Sequence, residues 1–467
     1  MQFARRGAAR LAPALFGLLL ALALPGLAAA NELHVPVDYY KLPNGLRVVL
    51  SQDHTAPTVC VGVYYRIGFR IEPKDRTGFA HLFEHMMFQG SQNLGKMEFV
   101  KLIQANGGIL NGSTRFDFTN YFEVVPSNKL ETILWAEADR MSGLAVTEAN
   151  LKNQQGVVGN EVKVNVLNRP YGSFPWIDLP MAANTNWYNS HNFYGDLSDI
   201  ESAKLDEVKQ FFNTYYAPNN AVLMIVGDFE TADAKKMVEK YFAGIKPAEL
   251  PPQPDLTEPR QEKEKTVTRQ DTLAPRPALA IGYHMPERST PEYYAMGLLN
   301  QILVEGDDSL LHQELVQKRG LTDSVEGGIN LIGNMFNYKG PMLFSAFVIY
   351  DPATKPETVI EAMDSVINPL LSKPVDPKTL DRARVKLRSS LYDTMGQSGG
   401  FGLMDLLASF ALFDDNPEKI NDLVAQFDKV TPELVLKTAQ EYLRPTNRTI
   451  VEIEPAPKKA DAPAKNQ

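Results

Sequence analysis

The amino-acid sequence predicts an α+β protein built from two homologous domains. The chain has 467 residues, 44% of them hydrophobic and 22% charged, which is the usage of an ordinary globular protein. That length accommodates two or three domains with sizeable cores. Helical and strand-like segments are mixed without a regular βαβ order, and the two halves end in similar segments. These observations together favour an internal duplication.

The first element is an N-terminal export signal at residues 1–30. Its first ten residues contain three arginines and no acidic residue, an apolar run follows over residues 11–27, and small residues end the segment at Ala30. This layout is typical of a cleaved secretory signal. A permanent membrane anchor is the alternative, but Pro13 and Pro25 weaken a span that is already short. We therefore expect an exported protein, periplasmic in a bacterium, with no stable membrane insertion.

Charge and cysteine usage agree with export. The formal net charge is −9, and removal of the arginine-containing signal makes the mature chain more acidic still. This sign disfavours nucleic acid or an anionic membrane as the main partner. The one cysteine, Cys60, lies in an apolar run and is expected in the core. A single thiol has no partner to mispair with in an oxidising compartment.

Two segments divide the rest of the chain. Residues 246–278 are rich in Pro, Glu, Lys and Gln with no sustained apolar period, and we interpret them as an interdomain linker. Residues 455–467 form a Pro, Ala and Lys tail that we expect to be disordered. The predicted domains are therefore an N-terminal domain at 31–245 and a homologous C-terminal domain at 279–454.

The duplication is visible at the end of each domain. In the first, a helical period ends at Pro218 and an apolar strand follows after Asn220; in the second, the same order recurs at Pro445 and Asn447. The interval between the two prolines equals that between the two asparagines. A helix, a turn and a strand are expected in both copies.

Within the first domain, an Asn-Gly turn at residues 44–45 joins two strands. Periodicity predicts a further strand over Thr119–Val125 and helices over about 76–90, 97–106, 127–142 and 147–168.

The most informative segment lies in the first of these helices. His81 and His85 are four residues apart, and Glu84 directly precedes the second histidine. At about 100° per residue, all three project from one helix face. Two imidazoles so placed suit adjacent corners of a zinc tetrahedron, and the neighbouring carboxylate suits proton abstraction from water held by the metal.

This H-x-x-E-H order is the inverted form of the commoner zinc-peptidase motif. A zinc peptidase needs a third protein ligand, and Glu161 is a candidate in a later helical segment. Its position alone does not select it over other acidic residues.

With these motifs the sequence resembles the pitrilysin, insulin-degrading enzyme and mitochondrial processing peptidase family of inverted-zincin metallopeptidases. The resemblance covers nearly the whole mature chain, including the duplicated halves and the linker, and implies a clam-shell arrangement of the two domains. It implies that His81, His85 and Glu161 bind Zn²⁺ and that Glu84 is the general base. The third ligand of the family precedes a Pro-Tyr-Gly such as residues 170–172.

Two further positions are assigned by the resemblance. The segment 107–121 is similar to the glycine-rich turn and strand beside the family's active site, which implies that Asn111 holds the substrate backbone and that the strand pairs with an extended peptide. A simple Asn-Gly turn is the alternative. Many members carry a supporting, second-shell glutamate seven residues before the third ligand, where this chain has Gln154; a neutral amide can still hydrogen-bond there.

The second domain departs from the family's active chains. These carry an arginine and a tyrosine that reach the substrate carbonyl, and an ungapped alignment places them at Val316 and Asp323. Arg319 is present but out of register. The sequence is therefore similar to the zinc-bearing subunit of the family's two-chain members, in which a homologous zinc-less subunit supplies the pair.

The resemblance implies a zinc-dependent endopeptidase for short or unfolded peptides, acting as a heterodimer with four domains around a chamber. One alternative is a self-sufficient homodimer that uses other residues, such as Arg319 or Tyr338. Another is a non-enzymatic assembly or scaffold protein on the same fold, but such relatives have generally lost zinc ligands.

Overall fold

The computed structural model of the chain describes residues 34–455. The predicted export signal at 1–30 lies outside the described residues. The last strand ends at Pro455, and the remainder of the predicted tail is likewise outside them. Within the described range, no helix combines the length and the apolar character that crossing a bilayer requires.

The strands of the described range form two sheets. In chain order they are β1 (Asp38–Lys41), β2 (Arg47–Gln52), β3 (Thr58–Tyr65), β4 (Ile109–Thr114), β5 (Thr119–Pro126), β6 (Ala221–Gly227), β7 (Lys265–Asp271), β8 (Ala278–His284), β9 (Glu326–Ile329), β10 (Leu343–Ile349) and β11 (Arg448–Pro455).

The α-helices lie between these strands. In order they are α1 (Phe79–Met86), α2 (Glu98–Ala105), α3 (Leu130–Ser142), α4 (Glu148–Val162), α5 (Asp178–Ala183), α6 (Trp187–Ser190), α7 (Leu197–Ser202), α8 (Leu205–Tyr215), α9 (Thr231–Phe242), α10 (Pro291–Leu303), α11 (Leu310–His312), α12 (Pro356–Ser372), α13 (Pro377–Met395), α14 (Phe401–Asp414), α15 (Leu423–Asp428) and α16 (Pro432–Tyr442).

The two sheets have the same topology. The first has the strand order β1-β2-β6-β3-β5-β4 and the second β7-β11-β8-β10-β9. In each sheet one pair is parallel, β2 with β6 and β7 with β11, and all other pairs are antiparallel. Apart from β1, the second sheet repeats the first strand for strand. The predicted α+β fold with two homologous domains is confirmed.

The repeat extends to single hydrogen bonds. The side-chain amide of Asn220 donates to the carbonyl oxygens of Arg66 and Tyr215, at 3.3 and 2.8 Å, and so ties the end of β3 to the end of α8. Asn447 makes the equivalent two bonds in the second half, at 3.1 and 2.7 Å. Each buried asparagine therefore fixes the helix, turn and strand that the sequence predicts at this place.

One strand lies inside the segment predicted as a linker. Within 246–278, β7 pairs in parallel with β11 and is the counterpart of β2 in the repeat. Its residues alternate between half-buried and exposed because it is an edge strand. Val267 is its one aliphatic residue, so apolar periodicity does not reveal it.

Helix boundaries differ from prediction by a few residues. The helix expected over 76–90 is α1, which begins only after Gly78 because that residue has a left-handed φ of 83°. The helix expected over 147–168 is α4 followed by a π-helical turn at Lys163–Leu167.

Each half contributes a helix to the sheet of the other. Helix α5 of the first half packs on β8 and β11, and α14 of the second half packs on β2, β3 and β6. A glycine makes room in each sheet. A Cβ atom at Gly62 would lie 2.6 Å from Met404 of α14, and one at Gly282 would lie 2.9 Å from Leu179 of α5. Each sheet is therefore covered in part by a helix from the other half.

A cavity of about 910 Å³ lies between the halves. Thr114, Trp176 and Tyr194 line it from the first half, and Asn330 and Met335 are among the lining residues of the second. Thr114 and Tyr194 also belong to the surroundings of the histidine motif, so the cavity opens beside that motif.

Candidate metal centre

Helix α1 has one apolar face and a second face that carries the histidine motif. Phe79, Leu82, Phe83 and Met86 are spaced for one face and are fully buried in the first core. The remaining face is directed towards α4 and β4, against which α1 packs. His81, Glu84 and His85 are therefore presented on the face that the core does not use.

A buried carboxylate holds the start of this helix. Glu72 accepts hydrogen bonds from the backbone N–H groups of Gly78 and Ala80, at 2.8 and 2.6 Å, and is fully buried. These donors are among those that the first turn of a helix leaves without an internal partner. Burial raises the pKa of Glu72 to about 8, although the two backbone bonds act in the opposite direction.

The Glu72 pKa predicts a pH-dependent contribution to stability. Its folded-state pKa of about 8 is above the ordinary value of 4.5, so between these values the unfolded chain binds fewer protons than the folded chain. Stability from this group is present below about pH 4.5 and is lost as the pH rises towards 8. Glu72→Gln has no ionisable group at this position and should not lose this stability. We therefore expect its unfolding free energy to rise relative to that of the wild type as the pH increases from 5 to 8.

Urea unfolding of both proteins at several pH values measures this difference. Glu98→Gln, a change at an exposed carboxylate at the start of α2, is the control and should track wild type. A pH-independent gap between wild type and Glu72→Gln would contradict the prediction.

Three potential metal ligands meet where α1 packs on α4. The Nε2 atoms of His85 and His81 lie 3.1 and 3.6 Å from the two carboxylate oxygens of Glu161. Potential ligand atoms of the three residues all lie within 4.8 Å of one another. A zinc tetrahedron with bonds of about 2.0 to 2.1 Å has edges of about 3.3 Å. The two spacings to Glu161 lie on either side of that length, and two imidazoles with one carboxylate are a donor set that suits a zinc ion.

The electrostatics of Glu161 agree with a ligand role. Hydrogen bonds from His81, then from His85, are the main causes that hold the pKa of its carboxyl well below the usual range. Its side chain is 30% exposed. The third candidate ligand is therefore an anion that lies beside two imidazoles and remains open to one side.

Glu84 lies beside this cluster and faces β4. Its Oε2 atom accepts a hydrogen bond from the hydroxyl of Thr114 at 2.7 Å. A Cβ atom at Gly112 would lie 3.4 Å from the Cγ atom of Glu84, so the strand backbone passes close to this side chain. This places a partly exposed carboxylate next to an edge strand.

Strand β4 is one of the two edge strands of the first sheet, since among the described strands it pairs with β5 alone. Asn111 lies on this strand and is exposed, and its Oδ1 atom accepts a hydrogen bond from the backbone N–H of Gly112 at 2.9 Å. The structure thus places Asn111 on the predicted edge; its contact with a substrate remains a prediction.

Gln154 is not brought to the ligand that it was expected to support. It is buried on α4, and its side-chain amide donates to Asn153 at 2.8 Å. A different residue holds Glu161: the hydroxyl of Tyr194 donates to its Oε1 atom at 2.5 Å. Sequence reasoning missed Tyr194 because it follows Glu161 by 33 residues in an irregular segment, where neither periodicity nor spacing identifies it.

The second half places the other predicted positions away from the cluster. Asp323 is exposed and pairs with Arg276 at 3.0 Å. Arg319 pairs with Glu314 at 2.8 Å, and Tyr338 is buried. Among the described residues that line the 910 Å³ cavity, the arginine and the tyrosine both come from the first half. No arginine and tyrosine pair of the second half therefore faces this cavity.

Comparison with known families gives two matches. The model described as Insulinase (Peptidase family M16) matches residues 47–170, which include the histidine motif and Glu161. The model described as Peptidase M16 inactive domain matches residues 202–387.

Individual relatives extend over most of the chain. The chain is 26% identical over 427 residues to the zinc protease PqqE of Helicobacter pylori, and the alignment covers 89% of this chain and 92% of the relative. It is 22% identical over 428 residues to a probable mitochondrial-processing peptidase subunit beta of Arabidopsis thaliana, covering 89% and 77%. A crystal structure of a protease from Helicobacter pylori superposes with a TM-score of 0.83 at 25% identity, covering 90% of this chain and all of that one.

Proposed function

The chain belongs to the insulinase family of peptidases, peptidase family M16, and from this premise we propose that it is a zinc-dependent endopeptidase. The observation that carries the proposal is the meeting of His81, His85 and Glu161 beside Glu84. Relatives over most of the chain are named zinc proteases, which supports zinc as the metal.

Two imidazoles and one carboxylate, contributed by His81, His85 and Glu161, would hold the zinc ion and leave one position open, as in catalytic zinc sites. When bound, zinc would polarise the peptide carbonyl and make water a better nucleophile at neutral pH. All other steps fall to side chains of the chain itself.

Glu84 would act as general base and then as general acid. Its carboxylate would take a proton from the attacking water and pass it to the leaving amine. The Thr114 hydroxyl, which donates to one carboxylate oxygen at 2.7 Å, would keep the side chain in one orientation and leave the other oxygen for the proton.

The substrate would bind as an added strand. The free edge of β4 offers backbone donors and acceptors to an extended peptide, and Asn111 on that edge would bind the peptide backbone. Because β4 passes Glu84 at Gly112, a peptide on this edge would lie across the proposed base. Only short or unfolded segments can adopt such an extended form, which supports the predicted substrate class.

We further propose that a second, homologous chain completes the site. In the ungapped alignment, Val316 and Asp323 occupy the positions at which the family's active chains carry the arginine and the tyrosine. In addition, a relative is named as one subunit of a processing peptidase. The signal-like residues 1–30 support export to the periplasm.

The test is zinc content and peptide hydrolysis by the purified chain. We expect one zinc per chain in the wild type and loss of that zinc in Glu161→Gln. Glu148→Gln, an exposed glutamate at the start of the same helix, is the control and should keep it. A wild-type protein that is folded and binds no zinc would overturn the proposal and favour a scaffold role.

Hydrolysis of a quenched peptide library by the same sample tests the two-chain part. We expect little cleavage by the chain alone, and cleavage on addition of the homologous zinc-less chain. Glu84-dependent cleavage by the chain alone would support the homodimer instead, while the peptidase proposal would stand.

A further inference from the structure

Tyr194 touches two of the three proposed zinc ligands. Its hydroxyl donates to Glu161 Oε1 at 2.5 Å, and its ring stacks on the ring of His81 with centroids 4.6 Å apart and planes 24° apart. We propose that Tyr194 is a positioning residue of the metal centre, which fixes the carboxylate of Glu161 and the imidazole of His81 in the orientations that metal binding needs. This inference rests on the proposed function.

The Tyr194 hydroxyl is the contact of Glu161 that a metal would not replace. In the described residues, Glu161 is held by His81, His85 and Tyr194. Once all three ligands turn to a metal, the histidine nitrogens no longer donate to the carboxylate. The tyrosine can still donate to the oxygen that does not coordinate, as supporting hydrogen bonds to metal ligands do. Gln154, the expected support, is engaged with Asn153.

The segment that carries Tyr194 is fastened to the start of α1. The backbone N–H of Asp196 donates to the Thr77 hydroxyl at 3.0 Å. Gly195, with a left-handed φ of 89°, packs so closely on Gly78 that a Cβ atom on it would lie 2.4 Å from the Gly78 Cα atom. Tyr194 therefore keeps a fixed position relative to the helix that carries both histidines.

The ring of Tyr194 makes a second aromatic contact. Trp176 contacts it edge-on, with centroids 5.4 Å apart and planes 86° apart, while His81 stacks on its face. Such aromatic contacts stabilise a ring in one orientation beyond what area burial contributes. The hydroxyl is thus directed at Glu161 before any metal binds, and the partly exposed carboxylate loses less rotational freedom on binding.

The test measures metal affinity in Tyr194→Phe, which keeps the ring and removes the hydroxyl. We expect zinc affinity, measured by competition with a chelator, to fall about 10- to 100-fold. We also expect the visible absorption spectrum of the Co²⁺-substituted protein to change, because the orientation of a ligand carboxylate changes. Tyr392→Phe, an exposed tyrosine on α13, is the control for both measurements.

Thermal unfolding of the metal-free proteins separates a positioning role from a general structural one. Metal-free Tyr194→Phe should unfold at the wild-type temperature. Peptide hydrolysis should be weak at limiting zinc and should recover to near wild type at saturating zinc. Wild-type zinc affinity and an unchanged Co²⁺ spectrum in Tyr194→Phe would overturn the inference, as would lost activity that saturating zinc does not restore.

The outcome distinguishes this inference from the proposed function. If wild type binds zinc and cleaves peptides through Glu84, and Tyr194→Phe behaves identically, the inference alone fails. If wild type itself binds no zinc, the proposed function fails first, and the inference fails with it.

Discussion

A Glu84→Gln protein is expected to keep its zinc and to lose about 10²- to 10⁴-fold in kcat on a peptide substrate. Glutamine has nearly the same shape and still accepts the hydrogen bond from Thr114, but it takes no proton from water at neutral pH. Glu84 is not one of the three residues whose ligand atoms converge, so metal content should not change. Initial rates on a quenched peptide in the presence of the homologous zinc-less chain, measured beside zinc content, test both parts.

Two controls sharpen this experiment. Glu148→Gln should cleave at the wild-type rate, because the exposed start of α4 takes no part in the site. Thr114→Val removes only the partner of Glu84 and should have an intermediate effect. A Glu84→Gln protein that retained zinc and wild-type kcat would remove Glu84 from the mechanism. Loss of zinc from the Glu84→Gln protein would instead indicate that Glu84 is a zinc ligand.

The second large effect concerns stability. Arg140, Glu123 and Glu137 form a fully buried charged group between α3 and β5, in which Arg140 pairs with Glu137 and lies 3.4 Å from Glu123. Its guanidinium also lies 3.8 Å from the ring centroid of Phe99. Arg140→Ala would leave two buried carboxylates without a cation and a space beside an aromatic ring. We expect it to destabilise the fold by about 3 to 5 kcal/mol.

Urea unfolding measures this loss, with Arg388→Ala, an exposed arginine on α13, as the matched control; the control should stay within about 0.5 kcal/mol of wild type. A triple change of Arg140, Glu123 and Glu137 to apolar residues of similar size separates charge from packing. That protein should recover most of the loss, because no unpaired charge remains. An Arg140→Ala protein as stable as the control would show that the buried charges are compensated in another way.

The candidate metal centre illustrates how much of a site the sequence alone can predict. Local spacing was enough to place His81, Glu84 and His85 on one helix face, because the 3.6-residue period is a property of the backbone itself. Glu161 lies on another helix, so its selection required the family resemblance. Tyr194 was not found by either route, since its role depends on how an irregular segment folds back onto α1.

The sheets give a similar lesson. The strand with a continuous apolar run after Asn220, β6, was predicted closely, because a strand buried on both faces is apolar along its length. The edge strand β7 was missed, because its position depends on pairing with a strand far away in sequence. The packing of α5 and α14 on the opposite sheets depends on contacts across the whole chain, which no local pattern encodes.

The exchange of α5 and α14 has a consequence for how the chain folds. Either half made alone would expose the apolar sheet face that Met404 or Leu179 now covers, so neither half is a self-sufficient folding unit. The two should unfold in one cooperative transition despite their separate sheets. A protease that cuts the chain between them should yield two fragments that remain associated and separate only under denaturing conditions.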